Sequence, residues 1–305
     1  MRPRIAVGPQ PTPWVDEAVA QGGGEIVGVD DGPDGLVWVE ARAADRLRDF
    51  LNLHPGIGWV QLPLAGVEDL FAGGVIDRHR QWTSAKGAYA EPVAEHALAL
   101  TLAGLRHLPE RARARSWGKP AGTSLFDQPV TIIGAGGITV ALLRLLEPFR
   151  TRVTVVRQRP EPLAGAETTL VVDRLHEALT GARVVVLAPA LTPRTRHLIG
   201  PTELAIMERD SWLINVGRGG LVDTDALVDA LRSHSIGGAA LDVTDPEPLT
   251  TGHPLWGLRN CFITPHTADT EAMIAPLLAR RITENVRRLG TGEQLVGLLD
   301  EGAGY

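Results

Sequence analysis

Three polar side chains follow buried strands in the second half of the predicted fold, and their types suit acid–base chemistry on a carboxylate-bearing molecule. Arg218 lies between glycines after one strand, Glu247 lies between two prolines after the next, and His266 follows a proline after a third. Arginine binds a carboxylate through two parallel hydrogen bonds, and histidine exchanges a proton near neutral pH. Each residue also has an ordinary interpretation, as a loop charge, a turn residue or a packed histidine. Their joint placement favours a site.

Seven predicted strands must bring these three residues together. They alternate with helices and run over Val130–Ile133, Arg152–Val156, Thr169–Val172, Arg183–Leu187, Ser211–Val216, Gly238–Asp242 and Cys261–Ile263. Strands separated by helices form a parallel sheet that is covered on both faces. Such sheets bind ligands beyond the carboxyl ends of their strands, which is where the three side chains are expected to lie.

A glycine turn follows the first of these strands. The segment Gly134-Ala135-Gly136-Gly137-Ile138-Thr139 has the spacing G-x-G-x-x-T and precedes an apolar helix. Glycines permit a tight turn with a close backbone approach, and the amides that open the helix suit a pyrophosphate. Thr139 stands where the dinucleotide fingerprint has Gly or Ala, so the pattern is weak by itself. We expect the threonine to shift the helix slightly, at some cost in cofactor affinity.

Two arginines follow the next strand, where dinucleotide-binding proteins that use NAD usually carry an acidic residue about 20 positions past the glycines. Here the sequence is Arg157-Gln158-Arg159. No carboxylate repels a 2′-phosphate at this point, and two guanidinium groups are available to pair with one. The sequence therefore predicts a preference for NADP(H), with NAD(H) as a second cofactor. The alternative is that Arg157 and Arg159 are solvated or stack on adenine.

Length and composition limit the classes of function. The 305 residues fit two domains or one large α/β domain, and 44% hydrophobic with 22% charged residues is typical of an ordinary globular protein. A net charge of −6 argues against nucleic acid or a membrane surface as the main partner. A single cysteine, Cys261, excludes an intramolecular disulfide and a cysteine-built metal site. With no signal peptide or long apolar span evident, we expect a cytoplasmic protein without a metal site.

The remaining chain predicts a first, smaller α/β unit and a long connecting helix. Its predicted elements are strands at Ile5–Val7, Glu25–Val29, Leu36–Val39, Trp59–Leu62 and Trp82–Ser84, helices at Val15–Ala20 and Ala43–Leu51, and a long helix at Ala90–Leu105. The basic stretch His107–Gly122 is interpreted as a surface arm or linker. A final amphipathic helix is expected at about Thr270–Leu289, followed by a tail at Gly290–Tyr305.

Six ordered segments resemble the D-isomer-specific 2-hydroxyacid dehydrogenase family, in particular its glyoxylate and hydroxypyruvate reductases. They are Gln61–Glu68, Val93–Leu100, Gly134–Thr139, Asn215–Gly219, Leu241–Leu249 and Ile263–Ala268. The match extends from about Val60 to the final helix, whereas the first 55 residues carry little of it. The resemblance implies a flavodoxin-like substrate domain, residues 1–90 plus 272–305, and a Rossmann cofactor domain with a doubly wound parallel sheet, residues 91–271.

The resemblance also implies roles for particular residues. Arg218 would bind the carboxylate and carbonyl of a 2-oxo acid, and His266, paired with Glu247, would donate and accept the proton. Cofactor contacts would come from Gly134, Gly136, Gly137, Ile138, Pro189 and Asp242, and substrate contacts from Leu64, Ala65 and Gly66. A homodimer would form through the arm after the long helix.

Three further residues have ordinary interpretations. His96 matches a helix motif of the family but is interpreted as a packed helix residue. His197, in the segment after Pro189, is not assigned to catalysis. Asp269, soon after His266, is interpreted as a cap of the last helix rather than as a charge at the site.

These observations predict an oxidoreductase that reduces a small 2-oxo acid to the D-2-hydroxy acid by hydride transfer from NADPH or NADH. The alternative is a dinucleotide-sensing binding protein similar to the C-terminal-binding corepressors, without physiological turnover. A third interpretation is a dehydrogenase of phosphorylated substrates, which needs basic residues near Leu64. Arg78, His79 and Arg80 form the only such cluster in that part of the sequence.

Overall fold

The chain divides into two structural units, and the first is built from both ends of the sequence. A computed structural model describes residues 1–41 and 43–299. The first unit combines residues 1–89 with the C-terminal segment from Thr270 onward, and the second consists of Ala90–Asp269. Each unit contains its own parallel sheet.

The first unit is a five-stranded parallel sheet with helices packed on it. Its strands lie in the order β2-β1-β3-β4-β5, which is the flavodoxin-like order. The strands are β1 Arg4–Gly8, β2 Glu25–Ile26, β3 Gly35–Trp38, β4 Trp59–Gln61 and β5 Gln81–Thr83, and the helices are α1 Pro13–Gln21, α2 Ala44–Leu53, α3 Glu68–Ala72 and α10 Glu271–Thr291. The order arises because the chain winds first to one side of β1 and then to the other.

The C-terminal helix α10 belongs to the core of this first unit. Its residues Leu278, Ile282 and Val286 recur every four positions, so they lie on one face of the helix, and all three are buried. They join one hydrophobic cluster with Val15 and Val19 of α1. The last helix of the sequence therefore completes the sheet that the first residues begin.

The predicted tail is wrong for residues 290–299, because the chain after α10 returns to the edge of the sheet. Leu298 forms an antiparallel bridge with Thr83 of the edge strand β5, and Leu295 is buried. The buried side chain of Asn285 accepts a hydrogen bond from the Val296 amide at 2.7 Å and donates one to the Val296 carbonyl at 2.9 Å. The exposed backbone of an edge strand binds such a segment readily. The rest of the predicted tail, residues 300–305, lies outside the described residues.

The second unit is a seven-stranded sheet in which every neighbouring pair is parallel. The order β12-β11-β10-β9-β6-β7-β8 is that of a doubly wound dinucleotide-binding sheet with one additional strand. The strands are β6 Pro129–Ile133, β7 Arg152–Arg157, β8 Thr168–Val171, β9 Val184–Leu187, β10 Trp212–Asn215, β11 Gly238–Leu241 and β12 Cys261–Ile263. The fold class predicted from the sequence is confirmed in both units.

Helices cover both faces of this second sheet. They are α4 Ala90–Leu105, α5 Leu108–Arg113, α6 Gly137–Leu146, α7 Leu175–Leu179, α8 Pro201–Ile206 and α9 Thr224–Arg232. Helix α4 packs tightly on β10, since a Cβ at Gly104 would lie 2.5 Å from the ring of Trp212. Helix α5 falls inside the predicted arm, so that arm is partly helical. Within residues 1–41 and 43–299, no helix combines the length and apolar character needed to cross a membrane.

Candidate active site

His266 and Glu247 form the first contact of the candidate site. The Nδ1 atom of His266 lies 2.6 Å from Oε1 of Glu247. The two side chains are 36% and 33% exposed, so the pair is open to a ligand. A carboxylate at Nδ1 requires a proton on that nitrogen, and the other ring nitrogen, Nε2, is left for proton exchange.

The backbone of His266 is held in an unusual conformation. Its φ of 51° lies in the left-handed region, which costs a non-glycine residue free energy and clusters at functional sites. The His266 amide donates to the carbonyl of Asp242 at 2.9 Å and to that of Thr264 at 3.0 Å. These two bonds fix the turn that directs the imidazole toward Glu247.

The carboxylate of Asp242 anchors the loop that carries His266. Asp242 is buried, and its oxygens accept hydrogen bonds from the Thr264 hydroxyl at 2.5 Å, the Thr267 amide at 3.0 Å and the Ala268 amide at 3.1 Å. His96 contributes a further contact at 3.2 Å. Burial alone raises the pKa of a carboxyl group, but these hydrogen bonds outweigh it and lower the pKa of Asp242 to about 2.

His96 is not the simple packed helix residue that the sequence predicts. Its Nε2 faces two oxygens, Oγ1 of Thr264 and Oδ1 of Asp242, from its position on α4. The signal in the sequence is a pair of ionisable residues, His96 in an apolar helix and Asp242 at the end of an apolar strand. Polar side chains in apolar segments usually have hydrogen-bond partners, so a partner can be expected for each of these two residues.

Arg218 is presented by a loop that Asn215 and a glycine hold. The buried Asn215 side chain accepts from the Gly217 amide at 3.1 Å and donates to the Arg218 carbonyl at 2.9 Å. A Cβ at Gly219 would lie only 1.9 Å from the carbonyl oxygen of Thr244, so the Arg218 loop packs directly on the loop that leads to Glu247. This role of Asn215 is not predicted from the sequence.

Asp269 links the two sides of this site electrostatically, and the cap that the sequence predicts for it is wrong. Helix α10 has Thr270 as its N-cap, without a side-chain cap bond, so Asp269 precedes the cap position. Burial raises the pKa of Asp269, and the charge of Asp242 adds to the increase, whereas the nearby charges of His266 and Arg218 oppose it. His266 and Arg218 therefore both lie within electrostatic reach of one carboxylate.

The topology explains this grouping. Strands β10, β11 and β12 are neighbours and parallel, so their carboxyl ends lie side by side. Arg218 follows β10, Glu247 follows β11 and His266 follows β12. One edge of the sheet thus carries a guanidinium, a carboxylate and an imidazole.

The glycine turn lies at the same edge, after β6. Gly134 has φ +106°, and a Cβ there would lie 2.7 Å from the carbonyl oxygen of Ala188 and 2.8 Å from the nitrogen of Pro189, so only glycine fits. At Gly136, by contrast, a Cβ would have no atom of residues 1–41 and 43–299 within 4 Å, apart from those of its two neighbours in the chain. Strands β6 and β9 are the adjacent pair at which the winding direction reverses, which is where doubly wound sheets bind ligands.

The residues after Gly134 fit the pyrophosphate of a dinucleotide. Helix α6 begins at Gly137, has no side-chain cap at Gly136 and carries no acidic residue in its first turn. The first amides of a helix, here those of Gly137 and Ile138, have no intrahelical acceptor and point toward an anion. The open space at Gly136 allows the backbone to approach such a group.

The side chain of Thr139 forms a hydrogen bond across this turn. It is fully buried, and its hydroxyl donates to the Gly134 carbonyl at 3.0 Å. The threonine therefore makes a contact that the glycine or alanine of the fingerprint cannot make. The predicted cost in cofactor affinity stays a prediction.

Arg157 directly follows the residue of β7 whose carbonyl contacts the glycine turn. The Gly134 amide donates to the carbonyl of Val156 at 2.8 Å, and Arg157 is the next residue of β7. The Arg157 guanidinium donates to the Glu161 carbonyl at 3.3 Å, and Arg159 is exposed. Arg157 therefore ends the strand next to the glycine turn, and Arg159 follows it by two residues.

The segment Leu64–Gly66 lies in the first unit, in the loop between β4 and α3. Ala65 is exposed, and the Leu64 carbonyl accepts from the Ala85 amide at 2.7 Å. The basic cluster Arg78–Arg80 lies at the opposite end of the sheet, before β5, whereas Leu64 follows the parallel strand β4. Arg80 pairs there with Asp77 and donates to the carbonyls of Ile57 and Leu51 at 3.1 and 3.2 Å. A phosphate-binding role for Arg80 is therefore not favoured.

A cavity adjoins the Leu64–Gly66 loop within the first unit. Its lining consists of Trp38, Glu40, Ala41, Ala43, Leu47, Leu62, Pro63, Leu64 and Leu70. One carboxylate oxygen of Glu40 accepts from Arg46 at 2.8 Å. The other, Oε2, is buried and has no hydrogen-bond partner among residues 1–41 and 43–299.

A doubly wound sheet with a glycine turn at its reversal point, and with Arg, Glu and His at three later strand ends, defines an NAD(P)-dependent dehydrogenase. The family comparison specifies the class further. Residues 97–268 match the family model described as D-isomer specific 2-hydroxyacid dehydrogenase, NAD binding domain. The chain belongs to the D-isomer specific 2-hydroxyacid dehydrogenase family, an oxidoreductase family that uses a nicotinamide dinucleotide, and the predicted resemblance is confirmed.

The chain is also similar to individual proteins. The chain is 40% identical over 263 residues to an uncharacterised protein of Corynebacterium melassecola, covering 84% of this chain and 86% of that one. It is 38% identical over 211 residues to the glyoxylate reductase/hydroxypyruvate reductase of Homo sapiens, covering 65% and 64% of the two chains. A D-isomer specific 2-hydroxyacid dehydrogenase from Xanthobacter autotrophicus Py2, solved with NADPH and MES, superposes with a TM-score of 0.86 at 26% identity over the full length of both chains.

Proposed function

We propose that this dehydrogenase reduces small 2-oxo acids of the glyoxylate and hydroxypyruvate type to D-2-hydroxy acids, with NADPH as the preferred cofactor. The observation that carries the proposal is the 2.6 Å contact between His266 and Glu247 at the sheet edge that also carries Arg218. The name of the human relative supports the substrate class.

Arg218, His266 and Glu247 have different roles in the proposed reaction. The dinucleotide, when bound, supplies a hydride to the carbonyl carbon of the substrate. Arg218 binds the substrate carboxylate and carbonyl oxygen, and its charge stabilises the negative charge that develops on that oxygen. His266 donates the proton from Nε2, because Nδ1 is engaged by Glu247, and Glu247 stabilises the imidazolium. The oxidation of a hydroxy acid uses the same residues in reverse.

The proposed cofactor contacts come from the glycine turn, Pro189 and Asp242, and the proposed substrate contacts come from the Leu64–Gly66 loop. Gly134, Gly136, Gly137 and Ile138 would hold the pyrophosphate through backbone amides, and Pro189 would line the nicotinamide site. Asp242 would act at the nicotinamide end as well, although its carboxylate already accepts four contacts within the chain. The backbone amides of Leu64, Ala65 and Gly66 would hold the substrate carboxylate.

Two arginines support the NADP(H) preference. Arg157 and Arg159 follow the strand next to the glycine turn, where an acidic residue would hold the ribose hydroxyls of NAD. Guanidinium groups suit the 2′-phosphate of NADP instead.

The proposal also includes a cytoplasmic homodimer. The arm of residues 107–122 exposes large apolar side chains, with Leu108 54% and Trp117 98% exposed, and such side chains are typical of a surface that another chain covers. The chain has a single cysteine, the buried Cys261, and therefore no intramolecular disulfide, which suits a reducing compartment. Sedimentation of the intact protein measures the oligomeric state.

The proposed function is tested by substrate kinetics and one substitution. We expect the wild type to oxidise NADPH with glyoxylate or hydroxypyruvate, and His266→Ala to lower kcat by about 10²- to 10⁴-fold, the range for lost general acid–base catalysis. Cofactor binding, measured by fluorescence titration, should be retained. His176→Ala is the matched control, because His176 pairs with Glu203 at 2.8 Å elsewhere in the same unit.

Two outcomes would contradict the proposal. If His266→Ala keeps wild-type turnover, His266 does not transfer the proton. If the wild type reduces none of glyoxylate, hydroxypyruvate, pyruvate and phenylpyruvate with either cofactor, the dinucleotide-sensing binding protein becomes the better interpretation.

A further inference from the structure

A histidine outside the proposed proton-transfer pair lies behind the loop that carries His266. The Nε2 atom of His96 is 3.0 Å from Oγ1 of Thr264 and 3.2 Å from Oδ1 of Asp242. The His96 side chain is 20% exposed, and that of Asp242 is 1% exposed. The contact therefore joins helix α4 to the carboxyl end of β11 in a largely dry environment.

The hydrogen-bond geometry determines which atom carries the proton. Thr264 has one hydroxyl hydrogen, and the 2.5 Å contact with Oδ1 of Asp242 uses it. The ionised Asp242 carboxylate only accepts hydrogen bonds. Both oxygens that face Nε2 of His96 are thus acceptors, so Nε2 carries a hydrogen and donates it.

The groups that His96 contacts hold His266 in place. The Asp242 carboxylate accepts the amides of Thr267 and Ala268, and the Asp242 carbonyl accepts the amide of His266. The left-handed backbone of His266 persists only where its surroundings hold it. A change in the orientation of the Asp242 carboxylate would therefore move the imidazole relative to Glu247.

We infer that His96 is a positioning residue for His266: its Nε2–H holds the Thr264 hydroxyl and the Asp242 carboxylate in the arrangement that fixes the loop 264–268. His96 itself does not take part in proton transfer. The inference rests on the proposed function in one respect, namely that His266 transfers the proton. The network itself depends on the described contacts alone.

Two substitutions of His96 and one control test the inference. His96→Leu removes the donor at similar volume, and we expect kcat to fall by about 10- to 100-fold, the range for one lost hydrogen bond to a charged group. His96→Gln should recover most of the loss, because its side-chain amide can donate at a similar reach. NADPH should still bind, with a loss of affinity smaller than the loss in kcat, since the pyrophosphate site is elsewhere on the sheet edge and only the nicotinamide end adjoins Asp242.

Thr101→Val is the matched control on the same helix. Thr101 is buried, and its hydroxyl donates to the carbonyl of Ala97 within α4 at 2.8 Å. This substitution removes a buried hydrogen bond from the helix without touching Asp242 or Thr264. Its kcat should equal that of the wild type, whatever its effect on thermal stability.

A second measurement does not depend on turnover. The Nδ1–H proton of His266, hydrogen-bonded to Glu247, is followed by NMR in the full-length protein after assignment with His266→Ala. We expect its resonance to shift or broaden in His96→Leu and to remain in His96→Gln and Thr101→Val.

Each result is decisive. Unchanged kcat and an unchanged His266 resonance in His96→Leu would overturn the inference, as would an equal loss in Thr101→Val or no recovery in His96→Gln. A shifted resonance in a protein whose wild type turns over no 2-oxo acid would support the positioning role and count against the proposed function alone.

Discussion

The hydroxyl of Thr139 donates a hydrogen bond to the carbonyl of Gly134, 3.0 Å away, across the turn between β6 and α6. Gly134 begins the turn with φ +106°, and Thr139 lies fully buried in the first turn of the helix. The bond joins the end of the strand to the start of the helix. The amides between these two residues are therefore held in one arrangement.

Thr139→Val is expected to loosen the glycine turn. The substitution keeps the shape of the side chain and removes its hydroxyl, so the free energy of unfolding should fall by about 1 kcal/mol. NADPH binding should weaken as well, whereas Thr139→Ser, which keeps the hydroxyl, should retain affinity. Urea denaturation and fluorescence titration measure the two effects, and wild-type values in Thr139→Val would show that the bond is dispensable.

Gly136→Ala is expected to weaken cofactor binding without destabilising the fold. Among the described residues, a Cβ at Gly136 meets no atom within 4 Å other than those of its chain neighbours, and the φ of −84° suits alanine. The melting temperature should therefore stay near that of the wild type. The same Cβ would fill the space into which the pyrophosphate is proposed to bind, so NADPH affinity should fall severalfold. Gly257→Ala is the control, because Gly257 also has open space around it. Equal NADPH affinity in the two variants would count against a phosphate site at Gly136.

Much of the fold could be predicted because its elements are defined by local patterns. The Ala- and Leu-rich run predicts helix α4 with its observed bounds, Ala90–Leu105, and short apolar runs predict the strands to within a residue or two at most ends. Helix α3, of five residues, was not predicted, because so short a segment shows no helical period. The segment 290–299 was mistaken for a tail because its pairing with β5 depends on a strand far away in the sequence.

The residues of the site were likewise predictable where a local pattern marks them, and not where a contact joins residues far apart in the sequence. Arg218, Glu247 and His266 are identified by their positions after strands, and the structure brings Glu247 and His266 into contact. The contact between His96 and Asp242 joins residues that are far apart in the sequence, and no local pattern records it. The hydrogen bonds of Asn215 and Thr139 were missed because a side chain that holds a turn resembles any other buried polar residue until the turn is seen.

Arg157→Asp is expected to reverse or abolish the preference for NADPH. The substitution replaces a guanidinium by a carboxylate, which repels a 2′-phosphate and accepts the ribose hydroxyls of NAD. The ratio of kcat/KM for NADPH to that for NADH should fall by about tenfold or more, the value of one charge-assisted hydrogen bond. Arg152→Asp is the control, because Arg152 is exposed at the opposite end of the same strand. If Arg157→Asp leaves this ratio unchanged, Arg157 does not determine a preference for NADPH.

Asp242 is expected to stabilise the protein in a pH-dependent way. Burial raises its pKa, but the hydrogen bonds from His96, Thr264 and the amides of Thr267 and Ala268 together outweigh burial and lower the pKa to about 2 from an ordinary value of 3.8. A lowered pKa in the folded state means that the stabilisation is complete above about pH 4 and is lost as the pH falls through 3.8 toward 2. The difference corresponds to roughly 2 kcal/mol. Asp242→Asn should therefore lower the free energy of unfolding at pH 7, and the deficit should shrink as the pH falls below 4.

Asp269 provides a control in the same site, because its pKa shifts in the opposite direction to that of Asp242. Burial raises its pKa, so the folded state binds the Asp269 proton more tightly than the unfolded state, and stability falls as the pH rises through that region. Asp269→Asn should accordingly be neutral or stabilising at pH 7, with the effect lost at low pH. Urea denaturation of the wild type and both variants between pH 3 and pH 7 compares them. Parallel pH dependences in the two variants would contradict the assignment of Asp242 as the charged anchor of the His266 loop, because the two carboxylates would then respond to the same environment.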